Sequence, residues 1–275
     1  MTTSLELTTT PVDYEATRFA TEDVVELGSY SLRALKLRRA IAGLPPRPGL
    51  RLLELGCGEG AITRTLKGAY AQAEVHGCDI SAAQIHRAEE HGGDVIYSLC
   101  TNQLPYADES FDAVFVLDVL EHLTQPAATL AEVVRVLRKG GRFLLHCPCE
   151  GQPATLHWLS WKTHLCSNLK RDMAGHVQRF THRSLVREVS RAGFTCTWRR
   201  YCYHPFGQCF DLLSFWRQHS QRRVDAGQGR LVHRLTTVLP WYRVFPTMEK
   251  LAGLESSLLG PVPAAMGLDA HFTKV

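Results

Sequence analysis

One carboxylate and three glycines stand close together in the run RLLELGCGEG at positions 51–60. Glu54 lies within an apolar stretch, and Gly56, Gly58 and Gly60 follow it at alternate positions. Glycine can adopt positive φ, and it leaves the main chain bare so that a ligand can lie against it. The N–H groups at the start of the next helix would then face that ligand. The spacing therefore predicts a buried strand that turns sharply into a helix and cradles a nucleotide-like ligand.

The glycine spacing alone leaves two classes of ligand open. Residues 56–61 satisfy the G-x-G-x-x-G/A pattern of dinucleotide-binding turns, with Cys57 in a variable slot. Glu54 favours a different ligand, because its carboxylate would repel a pyrophosphate and attract a cation such as the sulfonium of S-adenosylmethionine. A buried carboxylate on a strand also needs a partner that offsets its desolvation. A solvated position for Glu54 at a sheet edge is the alternative.

A second carboxylate, Asp79, ends the next predicted strand in the motif GCDIS, 21 residues after Gly58. At this place a carboxylate can accept hydrogen bonds from both hydroxyls of an adenosine ribose. The alternative is a helix N-cap, because Asp79 and Ser81 both precede a predicted helix. The neighbouring Ile80 could pack on an adenine face, or it could belong to the core.

Strand and helix patterns alternate along the chain from residue 50 onward. The predicted strands are 51–55, 74–79, 94–99, 112–118, 141–147, 194–203 and 266–274, and the predicted helices are 60–70, 81–91, 126–138 and 182–192. Such alternation indicates an α/β fold, with a mostly parallel sheet and helices on both faces. Ligands in these folds bind at the carboxyl ends of the strands, where the glycine turn lies.

Helical segments flank this alternating region. Residues 29–44 form an amphipathic helix, in which the apolar side chains share a face and basic residues including Lys36 and Arg39 point largely elsewhere. Residues 207–262 predict an amphipathic helical insert, which could be a lid over an acceptor pocket, a packing element or a membrane contact. We divide the chain into a helical cap (1–49), a ligand-binding core (50–206), the insert (207–262) and a final core strand (263–275).

Four successive motifs resemble those of class I S-adenosylmethionine-dependent methyltransferases. They are LELGCGEG from residue 53, CDIS from residue 78, LPYADESFDAVFVLDVLEHL from residue 104 and LRKGGRFLL from residue 137. The resemblance is to the small-molecule group that includes the ubiquinone and menaquinone biosynthesis enzymes. It implies a Rossmann-like, seven-stranded, mostly parallel sheet with helices on both faces, an N-terminal helical cap and a helical insert before the last strand. It also implies S-adenosylmethionine as the cofactor.

The resemblance implies a role for each residue of the cofactor site. Glu54 and the glycine turn would receive the methionine and ribose parts of the cofactor, and Asp79 would hold the ribose. The end of the fourth strand, Leu117 and Asp118, would face both cofactor and acceptor. The full predicted cofactor-binding set is Glu54, Gly56, Cys57, Gly58, Gly60, Asp79, Ile80, Cys100, Thr101, Asn102, Leu117 and Asp118.

The loop 100–104, which the resemblance places beside the adenine, departs from the family pattern. Cys100 stands four residues before the Leu-Pro pair, where relatives usually have Asp or Asn to bond the adenine amine. Thr101 or Asn102 would have to substitute for it.

The implied activity is methyl transfer to a small, apolar or aromatic acceptor. Because transfer is an in-line displacement, the protein must mainly align the reactants and exclude water, and we predict no metal. Oxygen is slightly favoured as the accepting atom, and a hydroxyl acceptor would benefit from a base. The candidate bases are His146, at the end of a predicted strand, and His176 in GHVQRF, and each could instead be structural. The run 146–149, HCPC, lacks the second cysteine pair typical of zinc fingers.

Composition restricts the remaining alternatives. The 275 residues carry a formal net charge of +4, which is too small to indicate nucleic-acid binding. The first residues lack signal-peptide features and the apolar runs are too short to span a bilayer, so we expect a cytoplasmic protein with free thiols. We expect a monomer or homodimer that acts on a small-molecule acceptor, with membrane contact a less favoured alternative. The alternative functions are an NAD-dependent oxidoreductase and a non-catalytic scaffold that binds S-adenosylmethionine.

Overall fold

The computed structural model describes residues 24–100, 103–163, 169–225 and 241–275. Within these ranges, helices pack against both faces of one sheet. The strands are β1 (Arg51–Leu55), β2 (Glu74–Asp79), β3 (Ile96–Leu99), β4 (Phe111–Leu117), β5 (Leu137–Pro148), β6 (Phe194–Cys202) and β7 (Gly267–Lys274). The helices are α1 (Leu32–Ala42), α2 (Ala61–Ala69), α3 (Ala82–Glu90), α4 (Pro126–Val136), α5 (Leu156–Lys162), α6 (Leu169–Ala174), α7 (His182–Arg191), α8 (Pro205–Asp225) and α9 (Trp241–Leu258).

The sheet has seven strands in the order β3-β2-β1-β4-β5-β7-β6. The first five strands run parallel, and β7 is antiparallel to both β5 and β6. The predicted α/β class with a seven-stranded, mostly parallel sheet is therefore confirmed. Because β1 lies centrally between β2 and β4, the glycine turn after β1 opens at the point where the strand order reverses, which is where such sheets bind ligands.

Alternate side chains of the central strands enter two apolar cores. Leu53 and Val114 pack on one face with α4 and α7, and Leu52 and Phe115 pack on the other face with α1 and α2. Every residue of β4 is buried, as expected for a strand covered on both faces. Burial on both faces explains why this strand is a nearly continuous apolar run.

The junction between α4 and β5 differs from the prediction. The helix ends at Val136, not at residue 138, and the strand continues directly from Leu137. Phe111 pairs with Leu137 while Ala113 pairs with Arg142, so the sheet register shifts here. Pairing with β4 thus overrides the helical spacing, and Gly140 and Gly141 lie inside the strand.

The predicted insert contributes α8 and α9 between β6 and β7, and residues 226–240 of it lie outside the described ranges. α9 packs on α1 at Gly253, where a Cβ would lie 1.7 Å from the carbonyl oxygen of Tyr30. The N-terminal helix and the insert are therefore in contact on one side of the sheet. In the part of the chain that the structure describes, every helix is too short or too polar to cross a bilayer.

Candidate functional site

The turn between β1 and α2 is held by hydrogen bonds to the end of β2. The N–H groups of Gly56 and Cys57 donate to the Cys78 carbonyl at 2.8 and 3.1 Å. The N–H of Gly58 donates to the carboxylate of Asp79, with 2.9 Å between the nitrogen and Oδ2. The predicted strand–turn–helix unit is therefore present, and it contacts the carboxylate that ends the next strand.

The three glycines of this turn all have positive φ, but they are needed for different reasons. A Cβ at Gly56 would lie 2.5 Å from Val119, and one at Gly60 would lie 2.2 Å from the Tyr97 hydroxyl. A Cβ at Gly58 would meet none of the described atoms within 4 Å. Gly58 therefore borders open space, as close approach of a ligand requires, whereas Gly56 and Gly60 allow the protein to pack against itself.

This turn opens into a cavity of about 740 Å³ at the carboxyl ends of the parallel strands. The predicted cofactor residues that line it are Glu54, Gly56, Cys57, Gly58, Asp79, Ile80, Cys100, Leu117 and Asp118. Gly60 packs against Tyr97 instead, and Thr101 and Asn102 lie outside the described residues. The fold thus gathers residues from the ends of four strands into one wall.

Glu54 is a buried residue of this wall. It is 3% exposed, and the Thr63 hydroxyl on α2 donates a hydrogen bond to its Oε2. Burial raises the pKa of Glu54 to about 8, against the opposing effect of Thr63. The alternative of a solvated edge residue is therefore excluded, and a positively charged group in the cavity would favour the ionised carboxylate.

Asp79 uses both carboxylate oxygens to organise the neighbouring turns. Oδ2 accepts the N–H of Gly58, and Oδ1 accepts the N–H of Ser81 at 3.0 Å. The N-cap of α3 is Ser81, whose hydroxyl oxygen accepts the N–H of Gln84 at 3.1 Å. Ser81, and not Asp79, is therefore the N-cap residue of α3. A carboxylate can accept about four hydrogen bonds, so Asp79 can also receive ligand hydroxyls.

The wall beside Asp79 is apolar at two positions. Ile80 is 38% exposed, and Cys100 is 4% exposed with its N–H bound to the Asp79 carbonyl at 2.8 Å. A buried cysteine behaves as a small apolar side chain with a weak S–H donor. These two residues therefore form a surface for a flat apolar group.

Asp118 follows β4 with a φ of +58° and faces two basic side chains. Nζ of Lys36 binds its Oδ2, and Nε2 of His146 lies 3.2 Å from its Oδ1. Lys36 and His146 hold the pKa of the Asp118 carboxyl well below its usual range. Asp118 is therefore an ionised carboxylate that is paired with two basic groups at the cavity wall.

Helix α1 brings basic residues towards the site, which the sequence analysis did not foresee. Lys36 is 8% exposed and lines the cavity, and Arg39 pairs with Asp269 of β7 at 2.5 Å. The prediction that both point away from the packed face was wrong. That prediction separated apolar from basic positions by hydropathy alone. In the structure, the carboxylates Asp118 and Asp269 pair with Lys36 and Arg39, and these pairs hold the two cations in the interior.

His146 lies behind the cavity wall. It is 1% exposed, and Nδ1 lies 2.6 Å from Oδ1 of Asp269. Burial and Lys36 lower the pKa of this imidazole, but Asp118 and Asp269 raise it to well above its usual value. An imidazolium that faces two carboxylates has no lone pair with which to accept a proton. This environment argues against the predicted role of His146 as a base and favours its structural alternative.

His176, the other candidate base, lines the cavity and forms a cluster with Glu121 and His122. Its Nδ1 lies 2.5 Å from Oε1 of Glu150, and its ring meets that of His122 edge to face with centroids 4.8 Å apart. Burial raises the pKa of Glu121 to about 7 and lowers that of His122 to about 3. The cavity therefore contains titratable groups besides the carboxylates of the first strands.

Elements beyond β5 supply further residues of the cavity wall that the sequence analysis did not identify. Lys170 of α6 pairs with Asp211 of α8 at 2.8 Å, and its Nζ lies 5.2 Å from the ring centroid of Phe215. Tyr203 and Met266 also line the cavity. These residues carry no common motif, because they converge only where α8 packs on α6.

The eight cysteines that the structure describes are all free, as expected. Cys147 and Cys149 of the HCPC run are buried, and Sγ of Cys147 lies 3.6 Å from Oε2 of Glu121. Their environment is that of small core side chains.

A seven-stranded sheet with one antiparallel strand, a glycine turn after β1 and a carboxylate at the end of β2 define a Rossmann-like nucleotide-binding domain. A family model described as a methyltransferase domain matches residues 53–145. This match spans the four motifs that resemble class I S-adenosylmethionine-dependent methyltransferases, and it agrees with that resemblance.

Curated relatives match less than half of the chain. Botryococcene C-methyltransferase of Botryococcus braunii is 36% identical over 131 residues, which cover 44% of this chain and 31% of that protein. The ubiquinone biosynthesis O-methyltransferase of Cereibacter sphaeroides is 36% identical over 114 residues, which cover 39% of this chain and 45% of that protein. The chain thus spans less than half the length of these relatives.

Solved structures extend the similarity to the whole fold. An S-adenosylmethionine-dependent methyltransferase from Mesorhizobium loti has a TM-score of 0.54 at 19% identity, with 87% of this chain and 98% of that chain covered. The [4+2]-cyclase SpnF has a TM-score of 0.57 at 18% identity, with 88% and 80% covered. These similarities concern the fold alone.

Proposed function

We propose that this protein transfers a methyl group from S-adenosylmethionine to a small acceptor. One observation carries the proposal: the buried carboxyl of Glu54 faces the cavity close to the open space at Gly58. Ionising a buried carboxyl is costly unless a positive group compensates it. S-adenosylmethionine is such a cation, and when bound it supplies a methyl group on an electrophilic sulfonium.

We assign the wall residues to parts of this cofactor. The bare main chain at Gly58 allows close approach, and Asp79 has acceptor capacity for the ribose hydroxyls. Ile80 and Cys100 would contact the adenine, and Asp118 would face the methionine end. The carboxylates in this wall fit a cationic ligand better than the pyrophosphate of NAD.

We propose that the acceptor has an apolar or aromatic body and an oxygen nucleophile. Phe215 and Met266 offer apolar surface for the body, while Lys170 and His176 offer polar groups at the cavity wall. A hydroxyl must lose its proton around the time of transfer, which gives such groups a task. The two curated relatives are by name a carbon and an oxygen methyltransferase, so they support methyl transfer without deciding between these atoms.

We assign to His176 the role of the base that accepts the proton of the acceptor hydroxyl, since it lines the cavity. The insert 207–262 would act as a lid, because Asp211 and Phe215 of α8 belong to the cavity wall. A lid that closes over bound reactants excludes water and holds them in line for displacement.

The first test is calorimetric titration of the purified protein with S-adenosylmethionine, S-adenosylhomocysteine and NADH. We expect both adenosyl compounds to bind with Kd values of about 1–100 μM and NADH not to bind. An absence of binding at about 1 mM cofactor, well above typical enzyme affinities, would defeat the proposal.

The second test measures transfer of labelled methyl groups to a panel of phenols, catechols, prenylated quinols and amines. Label in an oxygen-linked methyl group would support the assigned atom. Cofactor binding without transfer to any member of the panel would favour the scaffold alternative. NADH binding that survives Glu54→Gln would favour the oxidoreductase alternative.

A further inference from the structure

Glu121, His122 and His176 form a group of potential metal ligands in the cavity wall. One carboxylate oxygen and two imidazole nitrogens lie within 4.8 Å of one another. From this geometry we propose that the three residues bind a divalent transition-metal ion of the Zn²⁺ class. The inference departs from our sequence-based prediction that the site needs no metal.

Glu121 is the residue whose environment most favours a cation. Its side chain is completely buried, and Oε1 has no hydrogen-bond partner among the described residues. The other oxygen, Oε2, receives a weak thiol donor from Cys147 at 3.6 Å. Nε2 of His122 lies 3.8 Å from Oε1, which is too far for a hydrogen bond. A buried carboxylate oxygen without a partner is costly, and an ion between these atoms would supply one.

His176 has the orientation of a metal-binding histidine. Its Nδ1 lies 2.5 Å from Oε1 of Glu150, which leaves Nε2 for a ligand. Histidine ligands commonly donate their second ring nitrogen to a carboxylate, and this fixes the tautomer and increases the basicity of the coordinating nitrogen. Glu150 would therefore act as the outer carboxylate of a carboxylate–histidine–metal arrangement.

The main chain holds these distant residues together. The carbonyl of Glu121 accepts the N–H groups of Val177 and Gln178 at 2.9 and 3.0 Å, next to His176. Metal bonds of about 2 Å in a tetrahedral site place ligand atoms about 3.3 Å apart, so the 3.8 Å between Glu121 and His122 needs only a small contraction. Three protein ligands with a fourth position towards a cavity are typical of catalytic zinc.

The surrounding charges also favour a cation. Glu121, Glu150 and Asp211 are buried or nearly buried carboxylates, and Lys170 is the lysine that contacts Glu150 at 3.7 Å and Asp211 at 2.8 Å. Three carboxylates therefore lie around this lysine, and a divalent ion at Glu121 would lie in a region rich in carboxylate oxygens.

A second group of potential ligands, His146, Cys202 and Asp269, supports no such proposal. Asp269 is already paired with Arg39 at 2.5 Å, and all three residues are buried. Cations of the protein therefore already neutralise this group, which makes it a useful contrast to the first one.

The function of the ion rests on the proposed methyl transfer, although its binding does not. A hydroxyl oxygen of the acceptor would take the fourth position, and the ion would lower the pKa of that hydroxyl. The proton would pass to solvent water, and an oxygen lone pair would form the new O–C bond. The electrons of the broken S–C bond would remain on sulfur, giving S-adenosylhomocysteine. His176 would then hold the ion instead of accepting the proton itself.

The test uses tag-free, metal-stripped, full-length protein, titrated with Zn²⁺ by calorimetry and with Co²⁺ by visible absorption. We expect about one equivalent to bind and the Co²⁺ spectrum to show nitrogen and oxygen ligands without a thiolate charge-transfer band. His122→Asn and Glu121→Gln should each weaken binding at least about 10-fold. The exposed pair His86 and Glu90 provides matched controls, and His86→Asn and Glu90→Gln should bind as the wild type does.

Several results would overturn the metal site. These are an absence of stoichiometric binding by the wild type, a thiolate spectrum, or unchanged affinity in His122→Asn. Binding of S-adenosylhomocysteine is measured on every variant, because a variant that retains it is folded. If Glu121→Gln does not fold, the partly exposed His122 still carries the test.

The two proposals can fail independently. Metal binding without cofactor binding would reject the proposed function and leave the metal site standing. In the second case, a chelator removes the metal, and cofactor binding and methyl transfer stay unchanged. This result would reject the catalytic role of the ion, and His176 would again be the residue assigned to accept the proton.

Discussion

Arg39 of α1 and Asp269 of β7 form an ion pair, with 2.5 Å between Nη1 and Oδ2, although 230 positions separate them in the chain. The other oxygen of Asp269 contacts Nδ1 of His146, and the other ring nitrogen of His146 faces Asp118. A line of alternating charges thus runs from the first described helix through the sheet to the cavity wall. It positions α1 relative to the site more specifically than apolar packing could.

Asp269→Asn should destabilise the protein because it leaves Arg39 and His146 buried without their shared carboxylate. We expect a loss of about 3–5 kcal/mol in the free energy of unfolding, measured by denaturant titration. Asp94→Asn is the matched control, since Asp94 is 88% exposed where it pairs with Lys67, and it should change stability by less than about 1 kcal/mol.

The difference in stability between the wild type and Asp269→Asn should depend on pH. Arg39 and His146 lower the pKa of Asp269, although burial opposes them, so the stabilisation is present above the unfolded pKa and is lost as pH falls through the folded value. The gap between wild type and Asp269→Asn should therefore close in acid, below about pH 4. A gap that stayed constant down to about pH 2 would contradict the assignment.

Gly58→Ala should affect both stability and cofactor binding. A non-glycine residue in this left-handed conformation costs about 1–2 kcal/mol, and the added methyl group would occupy the open space that we assign to S-adenosylmethionine. We expect cofactor affinity, measured by calorimetry, to fall at least about 10-fold.

Gly92→Ala separates the two effects of that substitution. Gly92 has a φ of +66° and also borders open space, but it follows α3 and does not line the cavity. It should lose a similar amount of stability and retain cofactor affinity. Equal losses of affinity in both variants would show that backbone strain, and not contact with the ligand, is responsible.

Glu54→Gln should stabilise the free protein at high pH and weaken cofactor binding. Burial raises the pKa of Glu54 to about 8, so the folded state takes up a proton and stability falls as pH rises from about 4.5 to about 8. The glutamine variant lacks this loss and should melt several degrees above the wild type at about pH 9, with a smaller difference at about pH 5. Loss of the carboxylate should weaken S-adenosylmethionine binding about 10–100-fold.

The control for this prediction is Glu90→Gln, which neutralises an exposed carboxylate and should change neither quantity. In the wild type, cofactor affinity should increase as pH rises towards about 8, because binding a cation favours the ionised form of Glu54. If cofactor affinity depended on pH just as strongly in Glu54→Gln, another titrating group would be responsible for the pH dependence.

Asp211→Asn should loosen the contact between the insert and the core. Oδ2 of Asp211 lies 2.8 Å from Lys170 and 2.7 Å from His157, so the substitution leaves the buried cation of Lys170 with a weaker partner. Hydrogen exchange should become faster in α8 and remain unchanged in β1 and β4. Asp172→Asn, an exposed change on α6, should leave exchange in α8 unaffected. Faster exchange throughout the sheet would instead identify α8 as a packing element of the whole fold.

The fold could be predicted because its signals are local. Every residue of β4 is buried, and a strand buried on both faces must be an apolar run. The turn at Gly56–Gly60 requires positive φ, which glycine provides, and the residue types therefore revealed it. The end of α4 was misplaced because pairing of Leu137 with Phe111 depends on a strand that is distant in sequence.

The part of the cavity wall at the strand ends was predictable for a related reason. Parallel strands end at the same edge of a sheet, so residues that follow successive strands converge there. Glu54 and Asp79 were found from the motifs around the first two strands, Asp118 was implied by the family resemblance, and all three line the cavity. Lys36, Lys170 and Asp211 were not, because they reach the cavity from helices whose packing has no fixed relationship to strand order.

The sequence by itself determined the α/β architecture, the glycine turn and the carboxylates at the strand ends, because backbone conformation and two-sided burial restrict residue type position by position. Only the tertiary structure decided which charged groups and which part of the cavity each histidine faces. His146 and His176 look equivalent in sequence, yet His146 faces Asp118 and Asp269 behind the wall while His176 lines the cavity beside Glu121. The charge and the reactivity of an imidazole depend on neighbours brought together from distant segments, and spacing along one chain does not encode those neighbours.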